Sequence, residues 1–175
     1  MKHYKLFIFI AVFSLNCTVT LRSDTLQKDP YTAAKEFYRL LVQLNIQGLP
    51  DSKQQQHIGP LLSTKLRMGL NKAQKDRSEF IKKHGDMLKP PWDEFLFGSL
   101  YEGITGYSLG KAVVTNESVT IPIYLQYSRN HDITKWIDLL ILIKEDGSWY
   151  VHDIIYGGSW QFKNSGSLLQ HLFQK

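Results

Sequence analysis

The chain has 175 residues, enough for one domain of ordinary size and too few for two well-cored ones. With 43% hydrophobic and 21% charged residues, its composition is globular and excludes an intrinsically disordered chain. The formal net charge of +5 includes Lys2, Lys5 and Arg22 near the start, leaving about +2 elsewhere, so charge makes no case for nucleic acid as a partner.

Lys2 and Lys5 precede an unbroken apolar run, Leu6 to Phe13, and Ser14 to Thr20 is more polar with small residues. Positive, then apolar, then small and polar is the order of a secretory signal. The run is too short for a bilayer, which takes roughly 20 apolar residues. Residues 1–22 are read as a signal peptide cleaved between 17 and 23, and residues 23–175 as a single exported α+β domain. Cys17, the sole cysteine, stands where a lipoprotein cysteine would stand, although Asn16 is a poor match for the small residue such a signal wants before it. Membrane contact is expected only through the leader or a lipid on Cys17. Cleavage after Cys17 leaves no thiol, so the core must stabilise the domain without a disulfide.

Asp29-Pro30 opens a helix, with Asp29 as cap and Pro30 in the first turn. Ala34, Phe37, Leu41 and Leu44 recur at helical spacing, and Gly48 and Pro50 end the element. The polar stretch from Asp51 to Gly59 is a short helix or a loop. Pro60 opens a longer helical region to about His84, with Leu62, Leu66, Leu70 and Ala73 on one stripe and Phe80 and Ile81 continuing it. Gly85 stops that helix. Lys89-Pro90-Pro91-Trp92 forces an extended segment.

From Tyr101 the apolar period becomes two, which predicts four strands over about 103–114, 117–128, 134–145 and 148–156. The turns fall at Thr115 to Glu117, Ser128 to Asp132, and Glu145-Asp146-Gly147, where Asp-Gly supplies the positive φ angles of a tight hairpin. Such short links make neighbours antiparallel. Gly166 to Phe173 predicts a short final helix. Helices followed by a curved four-stranded antiparallel sheet is an α+β pattern. Ile121, Ile123, Leu125 and Tyr127 share one sheet face, with Thr120, Pro122, Tyr124 and Gln126 on the other. The third strand is apolar on both faces: Ile137, Leu139, Ile141 and Ile143 against Trp136, Leu140 and Leu142, with Asp138 the exception. Helices cover one face. The second is covered by residues 157–175, by a second copy, or by a protein partner.

Several short motifs occur in order: Gly48-Leu49-Pro50, Pro60-Leu61-Leu62-Ser63, Lys89-Pro90-Pro91-Trp92, Ser99-Leu100-Tyr101-Glu102-Gly103 and Lys135-Trp136-Ile137-Asp138. Gly147-Ser148-Trp149-Tyr150-Val151-His152-Asp153-Ile154 and Tyr156 follow. In these the chain, from about Tyr31 to Leu172, resembles a family of small exported bacterial proteins, often described as lipoproteins, that is classed as a domain of unknown function. The resemblance implies a fold similar to the nuclear transport factor 2-like (SnoaL-like) cone, with helices packed into a curved sheet. It implies no catalytic residues, and that broad fold includes enzymes, ligand-binding domains and bacterial immunity proteins.

The residues make few catalytic patterns. No H-E-x-x-H pair or cysteine ligand set is present, His131-Asp132 sits in a turn, and no metal or cofactor is expected. Gly157-Gly158-Ser159-Trp160 lacks the glycine that follows a nucleophile serine. Trp92-Asp93-Glu94 and Tyr101-Glu102 set carboxylates near aromatics without a spacing that marks glycoside chemistry. Asp138 and His152 would form an acid–base pair if both faced one cavity, with Tyr124, Trp136, Tyr150 and Tyr156 lining it. Seven basic residues between Lys65 and Lys83 give a helix face that solvates or meets an acidic partner. Asn116-Glu117-Ser118 matches a glycosylation sequon.

Two functional readings follow. The first is a non-enzymatic, envelope-located binding module for a protein partner, immunity-like in one form, with Tyr124, Trp136 and Tyr156 as an exposed patch. On that reading Trp136→Ala removes partner capture. The second is a small-molecule or weakly catalytic pocket in the cone. Trp92 and Tyr101 join the candidate residues of either.

Overall fold

In the computed structural model, residues 29–173 are described. The leader, Cys17 and the cleavage region lie outside them.

Helix α1, Pro30–Gln43, starts as its sequence dictates. Asp29 accepts from the Thr32 backbone N–H, and Pro30 occupies the first turn. It buries Ala33, Ala34, Phe37, Tyr38, Leu40 and Leu41. The polar stretch after it is helix α2, Ser52–Ile58. A reciprocal capping box between Asp51 and Gln54 sets its start.

The helical region expected from Pro60 is interrupted. Gly59–Leu61 forms one 3-10 turn, and Leu62 is extended at ψ 143°. Leu62 bridges to Val151, and the Ser63 N–H donates to the Val151 carbonyl at 2.8 Å. Helix α3, Thr64–His84, then starts afresh under a Ser63 cap. Leu66, Gly69, Leu70 and Ala73 are buried in its first half, whereas Ile81 is exposed, so the apolar stripe stops well before the helix does. Gly85 ends it at φ +59°. No helix among the described residues is long and apolar enough to cross a membrane.

The sheet comprises β1 (Gly106–Leu109), β2 (Val113–Val114), β3 (Ser118–Arg129), β4 (Asp132–Glu145) and β5 (Ser148–Ile155). All its pairings are antiparallel, in the order β1-β3-β4-β5, with β2 also on β3. The first predicted strand is therefore two. It breaks at 110–112, where the Tyr31 hydroxyl of α1 accepts from the Ala112 N–H and donates to the Gly110 carbonyl. The β4–β5 turn has Asp146 and Gly147 at positive φ, as expected, and the β3–β4 turn has Asn130 and His131 there. Helix α4, Leu168–Phe173, closes the chain against α3 and β5.

Helices thus lie on one face of an antiparallel sheet. That face carries Val119, Ile121, Ile123 and Leu125 of β3 with Trp136, Leu140 and Leu142 of β4, all buried. The segment between α3 and β1 is not simply extended. Phe95, Leu96, Phe97 and Leu100 turn inward and join the core. Trp92 holds φ +58°, a left-handed conformation that bulky residues seldom adopt. Leu49 N–H bonds the Trp92 carbonyl at 3.2 Å. Only a glycine suits position 48, since its φ is +68° and a Cβ there would lie 2.7 Å from that same carbonyl oxygen.

Candidate functional site

The register separates the candidates that sequence alone grouped together. Tyr124 pairs with Ile137, Pro122 with Leu139, and Leu139 with Ile155, all on the face away from the helices. Tyr124, Ile137 and Ile155 are 48%, 46% and 42% exposed, and Ile133 and Val113 add to the same face. Leu139, and Ile141 and Ile143 further along β4, are half-buried on the same face. Tyr150 pairs with Ile143 and belongs to this open face, also half-buried. Residues 157–175, one of the covers expected for this face, pack elsewhere over their described part, Leu168–Phe173 lying against α3 and β5. Asn164 N–H bonds the Ser99 carbonyl, and Gly158 N–H bonds Ser99 Oγ. A depression of about 720 Å³ lies beside Tyr124 and Ile137, with Gln126 and Lys135 as its polar walls.

Trp136 and Tyr156, expected beside Tyr124 in an exposed patch, point the other way. Each is only 6% exposed. Trp136 stacks edge-on against Trp160 at 5.6 Å, and the Tyr156 hydroxyl donates to the Leu96 carbonyl at 2.7 Å. The reason is register: Trp136 pairs with Leu125, one residue off the Tyr124 row, and one residue reverses the face. Trp136→Ala is therefore a core substitution and not a probe of an exposed interface.

Asp138 is fully buried on the helix side. Its carboxylate accepts from Ser99 N–H (2.8 Å), Ser99 Oγ, Trp136 Nε1 (3.0 Å) and Gly157 N–H (2.8 Å). Four donors leave little acceptor capacity for a reacting group. The charge is felt nearby. Burial pushes the Tyr38 and Tyr156 hydroxyls well above the usual tyrosine range, and the Asp138 carboxylate pushes both further. Asp153 also acts on Tyr156, more strongly than Asp138 does.

His152 does not meet Asp138. A bulge between Ile141 and Leu142 makes His152 the extra residue of β5, which breaks the alternation assumed for it. Its Nδ1 lies 3.0 Å from Ser63 Oγ at the start of α3. Burial holds this imidazole below its ordinary pKa. Ser63 is itself buried and accepts from the Leu66 N–H, so the contact ties a helix cap to an edge strand. No group of three metal-ligating side chains occurs among the described residues.

Trp92 and Tyr101 do converge. They line one cleft of about 380 Å³ with Glu94, Asn164, Gln170 and His171. The last three come from the C-terminal segment, and no local spacing in the sequence announced their arrival. The long-range bond of Asn164 Nδ2 to the Phe95 carbonyl, at 2.7 Å, brings that segment here.

No family model and no curated protein matches the chain. Among solved structures it is similar to a chain of the type VI native effector-immunity complex Tae3-Tai3 from Ralstonia pickettii. The identity is 16% and the TM-score 0.39, over 78% of this chain and 99% of that one. At that score neither a site nor a partner is carried across.

Proposed function

We propose that this chain is an exported, non-enzymatic binding module whose open sheet face holds a protein partner. The observation that supports it is the apolar surface of Tyr124, Ile137 and Ile155 around Leu139, with Ile141 the next outward position along β4. An antiparallel sheet that faces water usually alternates apolar-in with polar-out. Here β4 keeps isoleucine and leucine on the outward positions from Ile137 to Ile143, and such a patch marks an interaction surface. The periplasm, reached through the 1–22 leader, is the compartment of this reading. Its immunity-like form, in which the partner is a secreted toxin, agrees with one branch of the fold that the sequence resembles.

The test is native mass spectrometry of the protein isolated gently from its own envelope, followed by reconstitution with whatever protein accompanies it. A second protein in fixed ratio is expected, and Ile137→Lys weakens that complex at least about tenfold while the fold is kept. A homodimer that Ile137→Lys splits would replace the partner by a second copy. Binding untouched by Ile137→Lys would remove the sheet face from the account.

A further inference from the structure

We propose that the polypeptide held by the open sheet face presents a carboxylate beside an apolar side chain, and that Lys135 receives this carboxylate. The inference rests on the binding-module reading and names the chemistry of its partner. Lys135 is an exposed residue of β4, on the same outward row as Ile137, and it pairs in register with Gln126. Both line the depression of about 720 Å³ on this face. Glycines shape that depression from the β1 side. A Cβ on Gly106 would lie 2.8 Å from Gln126 Nε2, and one on Gly110, just after β1, 3.0 Å from Tyr124 Cε2. The missing side chains let Gln126 and Tyr124 lie toward β1, and the surface beside Ile137 and Lys135 stays open.

Lys135 is the one full charge among the residues that line the depression. It makes no ion pair among the described residues. The neutral polar groups there, Ser108, Tyr124 and Gln126, can each donate or accept, so they do not select a ligand and the ammonium does. A partner that covers Tyr124 and Ile137 also takes water from Lys135, and a desolvated charge without a counter-charge is strongly unfavourable. In a protein the counter-charge is an aspartate or glutamate carboxylate. A second copy of this chain is a poor source of one. The outward rows of β4 and β5 carry Glu145 and Asp153, and both are held within their own chain. Glu145 accepts from the Thr64 N–H and hydroxyl, and Asp153 from the Ile154 and Leu169 N–H groups. Charge complementarity therefore favours an acidic contact on a different protein over self-association.

The test is a titration of the isotope-labelled full chain with the capped peptide acetyl-Gly-Leu-Asp-Leu-Gly-amide at about pH 7, where its carboxylate is charged. Saturable shifts of the Ile137 methyl and Gln126 amide resonances are expected, with Kd on the order of 1–10 mM. The analogue with asparagine in place of aspartate binds at least about fivefold more weakly, and raising NaCl from about 50 mM to about 500 mM removes most of that preference. Lys135→Ala, folded by its melting temperature, loses the preference, whereas Lys135→Arg keeps it. Equal affinity for the two peptides, or a preference that survives Lys135→Ala, overturns the proposal; Lys135 then carries its ammonium out to the rim when the face is covered. The absence of any saturable shift with the aspartate peptide overturns it as well. Loss of the peptide preference, with a native complex still weakened by Ile137→Lys, removes the acidic contact and keeps the face. A native complex untouched by Ile137→Lys removes the face and the contact with it.

Discussion

Asp138 shows how much one buried charge organises. It lies inside the core and is held by two backbone N–H groups, a hydroxyl and an indole N–H. Those donors come from the 95–101 segment, from β4 and from the turn after β5, so one carboxylate fastens three parts of the chain. An amide at this position offers one acceptor oxygen and turns its own hydrogens toward donors. Asp138→Asn is therefore expected to cost about 3 kcal/mol of stability, read from urea denaturation. An unchanged midpoint would mean that the donors find other partners. In sequence, Asp138 was visible as the one polar residue of an apolar face. Its partners were not, because Ser99 lies 39 residues away.

At the scale of elements, the bulge in β5 decides the most. It lets Val151 and Ile154 both enter the core and sends His152 to the edge, against Ser63. That joint carries a pH dependence. Burial lowers the folded-state pKa of His152, while its neighbours act in both directions: Asp153 and Glu145 raise it and Lys65 lowers it. With a depressed value the folded state binds fewer protons than the unfolded one, so stability rises with pH. The contribution is present above the unfolded value of 6.5 and is lost as pH falls through the lower folded value. The melting temperature should drop between about pH 7 and pH 5, with a shallower drop in His152→Gln. Parallel profiles for the two proteins would show that His152 does not supply this slope. The alternation rule failed here for a physical reason, since an extra residue in one strand resets the period and no residue type in Val151-His152-Asp153 signals it.

At the scale of the whole molecule, adjacent residues of β4 report on opposite sides of the sheet. Trp136→Ala opens a cavity under the helices and should cost about 3–5 kcal/mol. Ile137→Lys, on the open face, should change stability by no more than about 0.5 kcal/mol in the isolated chain. Denaturant curves of the two variants make the comparison, and a large loss in Ile137→Lys would mean that something already covers that face.

Periodicity and local chemistry by themselves determined a good deal of this protein. The cap at Asp29-Pro30, the glycine stop at 85, the Asp146-Gly147 hairpin and the switch from helical to strand period are short-range effects of backbone sterics and hydrogen bonding, and each holds in the fold. The two apolar faces of β4 were likewise legible, because alternation needs only one strand. Which face looks outward, the burial of Trp136 and Tyr156, the separation of Asp138 from His152 and the meeting of Trp92 with Asn164 were decided only by tertiary structure. Each depends on a register, a bulge or a contact between distant segments, and such pairings are selected by how the whole core packs rather than by neighbours in the chain.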